Sequence, residues 1–105
     1  MKQIALFLIV FVAWAFVPSS SPIKPDCTCK GIKLWGRVRV VDSFENFRVR
    51  VVNDLQDFNV RKVDSQPYWC GEWQFVDSHE DFTIRFVDSH EDFTIKFVDS
   101  FPGIH

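Results

Sequence analysis

The sequence predicts an all-β fold, a compact domain of short strands, and three observations carry that prediction. Apolar side chains occupy every second position of short runs such as Phe82–Phe86, and a period of two is typical of a strand with one buried face. These runs are rich in β-branched and aromatic residues, which favour strands, and 12 of the 105 residues are phenylalanine. The same unit recurs along the chain, which indicates a repeat architecture.

Residues 1–21 are predicted to be a secretory signal peptide. Lys2 supplies a positive charge, and the uncharged apolar run from Ile4 to Val17 has 14 residues. A transmembrane helix needs about 20 residues, so the length favours a cleaved signal over the alternatives, a buried helix or an uncleaved anchor. We expect a secreted or periplasmic protein that begins near residues 20–22, with no stable membrane span after processing.

Residues 22–35 form a predicted leader that carries two of the three cysteines. Export permits a disulfide, and one pair leaves one thiol over. We expect Cys29 to pair with Cys70, because Cys29 lies nearer the start of the regular pattern, and Cys27 with Cys70 is the alternative. Closing the loop would contribute about 4 kcal/mol. A zinc site is disfavoured because the Cys-x-Cys spacing lacks the paired Cys-x-x-Cys of structural zinc.

Residues 36–105 are predicted to form the repeat domain, which is built from an eleven-residue unit. Each unit opens with a Val-Asp-Ser-like triplet and ends in an alternating strand. Two copies, 76–86 and 87–97, differ only at Arg85 and Lys96. The triplets begin at Val41, Val52, Val63, Val76, Val87 and Val98.

A longer period divides this domain into two pseudo-symmetric halves of 35 residues, 36–70 and 71–105. A shift of 35 residues maps the first three of these valines onto the last three, and Gly36 onto Gly71. The first half has six basic and five acidic residues, and the second has two and eight. We expect the halves to pack on each other about a pseudo-twofold axis, with a weak attraction between their charges.

The segments between the strands have the chemistry of tight corners. Asp and Ser side chains accept hydrogen bonds from backbone N–H groups two or three residues on. Ser78 with Asp81 resembles a capping box, which would make a corner a single helical turn. We therefore expect about six short strands in hairpin-like steps.

Several segments together resemble the 7(1) septoil knot domain proteins. They are Cys27-Thr28-Cys29-Lys30-Gly31, Cys70-Gly71-Glu72-Trp73, the tandem units that end in Phe-Thr-Ile-Arg-Phe and Phe-Thr-Ile-Lys-Phe, and the ending 98–103. The resemblance covers residues 27–105 and implies a small all-β domain whose backbone is threaded into a seven-crossing torus knot. Two similar halves wound about each other are what such a topology needs. The resemblance brings no established activity and no catalytic or binding residues.

The repeated His-Glu-Asp corners are the first candidate site, because His beside carboxylates can bind a divalent metal. They comprise His79, Glu80, Asp81, His90, Glu91 and Asp92. The equivalent corners of the first half lack His, so solvated turn residues are the favoured interpretation.

Basic residues on outward strand positions are the second candidate, for an anionic polymer such as lipopolysaccharide or an acidic glycan. They are Arg37, Arg39, Arg48, Arg50, Arg61 and Lys62. A solvated sheet face, or pairing with the acidic half, is the favoured alternative because the total charge is −2. Aromatic residues are the third candidate, a platform for stacking on sugars, although core packing is favoured for them. These are Trp35, Tyr68, Trp69 and Trp73.

No residue set predicts catalysis. The tripeptide Asp77-Ser78-His79 recurs eleven residues on, which is natural for a corner and odd for a triad. The net charge does not indicate a nucleic-acid partner. We expect a monomer that is not an enzyme and has no cofactor. The expected function is that of an exported, structurally robust structural or interaction module. The alternative is a binder of an anionic glycan or a divalent metal at the cell surface or in the periplasm.

Overall fold

The computed structural model describes residues 21–104, and this part of the chain contains eight β-strands and no helix. The strands are β1 Thr28–Cys29, β2 Ile32–Lys33, β3 Gly36–Val40, β4 Phe47–Val51, β5 Phe58–Lys62, β6 Glu72–Phe75, β7 Phe82–Phe86 and β8 Phe93–Phe97. The predicted signal peptide lies outside the described residues apart from Ser21. No helix in the described part could span a membrane.

Four of the six repeat strands, β3, β4, β5 and β7, bury alternate residues, which confirms the all-β prediction. In β4, for example, Phe47 and Val49 are fully buried, while Arg48 between them is only half-buried. The five-residue strands β5 and β7 follow the same pattern. The period of two in the sequence therefore identified these strands and their inner faces. In β6 and β8, Glu72 and Thr94 are buried as well, although the period of two places Thr94 outward.

Six strands close into a parallel barrel in the order β3-β6-β5-β8-β4-β7. Each strand of the first half lies between two strands of the second half, so the halves are interleaved strand by strand. Consecutive strands such as β3 and β4 are parallel and are separated by β7. The predicted hairpin-like steps are therefore wrong, because a parallel strand requires the chain to return to its starting end.

The connections run outside the strands of the opposite half. Val40 and Phe47 both pair with Ile84, one on each side of β7, so the connection 41–46 crosses β7. The interior is filled by core side chains, so this crossing is on the outer surface. There the N–H of Val41 donates to the Ile84 carbonyl over 2.9 Å. Six residues suffice, because the chain steps over only one strand.

The same geometry recurs around the barrel. Four other connections each cross one strand of the opposite half: 52–57 crosses β8, 76–81 crosses β3, 87–92 crosses β4, and 98–103 crosses β5. Each half is thus wrapped by connections of the other, which is the mutual winding that the family resemblance implies.

Each of these five connections has a left-handed residue at its fourth position. The φ angles are 57° at Phe44, 55° at Leu55, 60° at His79, 60° at His90 and 55° at Phe101.

The predicted capping box of Ser78 and Asp81 is wrong, because the left-handed residue between them, His79, interrupts any helical turn. In the 76–81 connection, the Asp81 carboxylate instead accepts the N–H of Arg37 over 2.7 Å, from the strand that the connection crosses. The Ser78 hydroxyl lies 3.1 Å from His79 Nδ1.

The core consists of layers of inward-facing side chains stacked along the barrel axis. The first layer holds four phenylalanines in edge-to-face or tilted contact, and the second holds branched aliphatic residues and Trp73. These residues are Phe47, Phe58, Phe82 and Phe93, then Val38, Val49, Val60, Trp73, Ile84 and Ile95. The third layer consists of the last residue of each strand and is largely half-exposed, so this end of the barrel is open.

The leader closes the opposite end of the barrel. Leu34 is fully buried, and its carbonyl accepts hydrogen bonds from Trp73 Nε1 at 3.0 Å and from the N–H of Gly71 at 3.2 Å. Ile23, Cys27 and Cys29 join the same core cluster. The leader is therefore part of the folded domain.

The disulfide joins Cys27 to Cys70, so the expected pair Cys29–Cys70 is wrong and the alternative is correct. Cys29 belongs to β1 and is only 3% exposed, packed in the core as a free thiol. Burial raises the pKa of that thiol. Both cysteines are buried, but it is Cys27, just before β1, whose Cα lies 6.0 Å from that of Cys70, within the range that a disulfide spans.

Candidate interaction surfaces

The His-Glu-Asp corners bind other parts of the fold. Glu80 lies 3.0 Å from the guanidinium of Arg39, while Asp81 binds the backbone of β3. The hydrogen bond from Arg39 holds the pKa of Glu80 below its usual value. Within residues 21–104, no three His, Cys, Asp or Glu side chains are placed to hold a metal ion.

The second corner repeats these contacts eleven residues later. Glu91 pairs with Arg50 over 3.0 Å, and Asp92 accepts the N–H of Arg48 over 2.7 Å. Lys30 Nζ also lies 3.1 Å from Asp92. Burial alone would raise the pKa of Asp92, but the Arg48 N–H and Lys30 outweigh it, so that pKa lies below its usual value.

The basic candidate set is divided by ion pairs between the halves. Arg39, Arg50 and Arg61 of the first half pair with Glu80, Glu91 and Glu72 of the second, and Arg85 pairs in the reverse direction with Glu45. These three arginines therefore pair with the acidic half, as the favoured alternative interpretation of the basic set stated. Arg37 and Arg48 form no ion pair within the described part of the chain.

The Glu72 carboxylate is the most enclosed member of these pairs, with 5% of its side chain exposed. It accepts N–H bonds from Tyr68 at 2.9 Å and Trp69 at 3.1 Å, besides its bond to Arg61. Burial by itself raises the pKa of Glu72, but these donors outweigh it, and the pKa lies below its usual value. Glu72 therefore ties the connection before β6 to β5.

The aromatic candidate set is also divided. Trp73 is fully buried, and its indole N–H is used by Leu34, so it belongs to the core. Tyr68 and Trp69 are each 69% exposed. They line a groove of about 480 Å³ whose lining includes Trp35 and the disulfide.

Three apolar side chains project from the connections, and the sequence patterns did not single them out. Phe44 is 97% exposed, Leu55 is 90% exposed and Phe101 is 88% exposed. All three occupy the left-handed fourth position of a connection, which we name the tip; His79 and His90 occupy the other two tips. An apolar residue in a segment otherwise made of turn residues is the sequence signal that could have identified them.

The open end of the barrel, which we name the mouth, is a second surface that the sequence patterns did not reveal. It is formed by the last residue of each barrel strand: Val40, Val51, Lys62, Phe75, Phe86 and Phe97. Lys62 Nζ lies 4.6 Å from the ring centre of Phe97 and 6.0 Å from that of Phe75.

Polar residues surround the mouth in a ring that we name the rim. The rim residues follow the mouth residues by two positions: Asp42, Asn53, Asp64, Asp77, Asp88 and Asp99. All six are exposed, and none forms an ion pair within the described residues. A cleft of about 520 Å³, lined by residues that include Val40, Asp42 and Phe44, joins mouth, rim and tip.

Fold and surfaces together define a class of protein: a parallel β-barrel of two interleaved halves, closed at one end by a disulfide-linked leader and open at the other. Comparison with known families agrees, because the 7(1) septoil knot domain matches residues 31–105. The chain belongs to the 7(1) septoil knot domain family, which confirms the resemblance drawn from its motifs. No curated protein matches the chain significantly.

Proposed function

We propose that this protein is an exported, non-enzymatic interaction module, a rigid scaffold that presents apolar side chains to a partner. One observation carries the proposal: Phe44, Leu55 and Phe101 are almost fully exposed at equivalent tips.

The tips have an energetic cost that folding does not explain. A left-handed backbone costs a residue other than glycine about 1 kcal/mol, and asparagine adopts it more readily. A fully exposed phenylalanine recovers none of this cost by burial within the molecule. Burying it against a partner would contribute about 2 kcal/mol. This balance supports contact with a partner as the role of the apolar tips.

The scaffold suits a location outside the cytoplasm. The Cys27–Cys70 disulfide fits an oxidising compartment, and export is supported by the signal-peptide pattern of residues 1–21. Interleaved halves resist partial opening, because neither half can leave while the connections of the other surround it. Slow unfolding would protect such a module from extracellular proteases.

The metal and anionic-glycan alternatives receive less support from the structure. The carboxylates of both His corners bind arginine or backbone groups, and Arg39, Arg50 and Arg61 are paired with glutamates. A ligand at these residues would have to break existing contacts first.

Cross-linking of the secreted protein in its own culture would test the proposal. The substitutions Phe44→Asn, Leu55→Asn and Phe101→Asn, made together, should abolish a specific cross-linked product while leaving the protein folded. The matched control is His79→Asn with His90→Asn, which changes polar tips and should retain the product. Equal yields from the wild-type protein and both variants would contradict the proposal.

A further inference from the structure

The two ends of the barrel differ in what covers them. The leader buries the first core layer completely, so Phe47 and Phe58 are inaccessible. At the mouth, Val40 and Val51 are each 46% exposed and Phe86 is 43% exposed. Apolar side chains grouped at one end of a small protein mark a surface that gains from being covered.

The charge around the mouth indicates the chemistry of what covers it. Five of the six rim residues are aspartates, and none forms an ion pair within residues 21–104. The basic groups nearest the mouth offset them only in part. Arg39, Arg50, Arg61 and Arg85 are each paired with a glutamate, which leaves Lys62 and Lys96 against five aspartates. The rim thus presents five carboxylates that form no ion pair, around a mouth of five apolar side chains and one lysine, Lys62.

Lys62 shows how this surface holds a cation. Its ammonium lies over the Phe97 ring at 4.6 Å, and the same cleft is lined by Asp99. An aromatic face beside a carboxylate stabilises an ammonium or guanidinium group. Phe86 is the remaining phenylalanine of the mouth, and no lysine or arginine of the described residues lies over its ring.

We infer that the mouth docks a basic, apolar chain segment of a partner protein. Lysine or arginine side chains of the segment pair with the rim aspartates, and its apolar side chains cover Val40, Val51 and Phe86. The cleft from Val40 to Phe44 extends this surface to a tip. The inference rests on the proposed function, since it names the surface and the partner chemistry of that interaction module.

A synthetic peptide of alternating lysine and leucine is the probe, titrated into the mature, oxidised protein by calorimetry. Binding is expected, and it should weaken as salt is added because the rim charges are exposed. A peptide with glutamate in place of lysine, and one with serine in place of leucine, should not bind. Binding of the glutamate peptide with equal affinity would overturn the inference.

Rim variants locate the binding without disturbing the core. Asp77→Asn and Asp99→Asn should each weaken binding about two- to fivefold at low salt, as expected for an exposed ion pair. Asn53→Asp completes the ring of carboxylates and should strengthen binding by a similar factor. Asp26→Asn removes the same charge from the leader, which closes the other end, and should change nothing. An equal loss from Asp26→Asn would exclude the mouth as the site.

Two further results would separate this inference from the proposed function. If tip substitutions abolish the cross-linked product while the lysine–leucine peptide fails to bind, the interaction module stands and the mouth inference fails. If the wild-type protein associates with itself and Asp77→Asn abolishes that association, the occupant is a second copy of the chain, and the inference of a basic partner is wrong.

Discussion

Gly71 is a position where the chain passes too close to itself for any side chain. A Cβ there would lie 2.4 Å from the Gly103 nitrogen and 2.5 Å from the Asn59 oxygen. Those two groups hydrogen-bond each other over 2.7 Å, so neither can move cheaply. The repeat pattern identified Gly71 as equivalent to Gly36, but its neighbours are distant in sequence and come together only in the fold.

Replacing Gly71 with alanine should destabilise the protein by at least about 3 kcal/mol, since left-handed strain adds to a steric clash. Gly31 is the matched control, because it has a similar φ of +80° and a Cβ at that position would meet no atom within 4 Å. Gly31→Ala should cost only about 1 kcal/mol. Urea unfolding measures both losses, and equal losses would contradict the close contact.

Phe44→Asn should raise the free energy of unfolding by about 0.5–1 kcal/mol, because asparagine tolerates the left-handed backbone better. The exposed ring of Phe44 has no packing to lose. Thermal denaturation would detect this gain in stability. His79→Asn, at an equivalent tip, should also stabilise the protein. A loss of stability for Phe44→Asn would mean that the ring packs within the folded chain.

At the scale of the elements, the sequence predicted the barrel strands but not which strands pair with each other. Alternation in β4 predicts that Phe47 and Val49 face inward, since side-chain direction follows from local geometry. It does not choose the neighbours of β4, which are β7 and β8 and begin 35 and 46 residues after Phe47. Parallel register depends on contacts between distant segments, so the hairpin-like expectation failed while the strands themselves were correct.

The ion pair between β5 and β6 predicts how stability depends on pH. Glu72→Gln should cost about 2 kcal/mol at neutral pH, because buried N–H donors and Arg61 lose a charged acceptor. The pKa of folded Glu72 lies below its ordinary value of about 4.3, so its stabilisation is present above that pH. It is lost as the pH falls through the folded-state pKa.

Urea unfolding across the acid range measures the difference in free energy of unfolding between the wild type and Glu72→Gln. This difference should shrink toward zero in acid. Glu80→Gln is the matched control, because it breaks a more exposed pair with Arg39 and should cost much less. A difference that persists unchanged at low pH would show that the Glu72 carboxylate does not act through its charge.

For the whole molecule, the interleaving makes the two halves a single cooperative unit. Every strand of residues 36–70 pairs only with strands of residues 71–105 among the barrel strands. The 35-residue period predicted two equivalent halves and the family resemblance implied that they are wound together. Residue patterns alone could not show the alternation around the barrel, because each half carries the same local signals.

Neither half should therefore fold alone. Peptides spanning 22–70 and 71–105, made separately, should show the circular dichroism of unfolded chains, since each lacks every barrel partner of its strands. The intact oxidised chain, which contains both segments, is the control and should show a β-sheet spectrum. A folded β spectrum from either isolated half would refute the interleaved arrangement.

The disulfide stabilises the intact molecule through the leader. Replacing Cys27 and Cys70 together with serine should cost about 4 kcal/mol, because their separation of 43 residues makes the unfolded loop large. Peptide mapping by mass spectrometry should find the Cys27–Cys70 bridge, and Cys29→Ser should leave it intact. A bridge through Cys29 in the wild-type protein would contradict the structure.

The outside crossings of segment 41–46 and its equivalents have a mechanical consequence. In a family of threaded folds, tension applied to both ends draws the encircling segments tighter around the strands that they cross. A ring-shaped unfoldase that pulls one terminus into a narrow pore would therefore meet rising resistance. Under the proposed export, the chain must also finish translocating before it becomes threaded, which sets the order of events during its biogenesis.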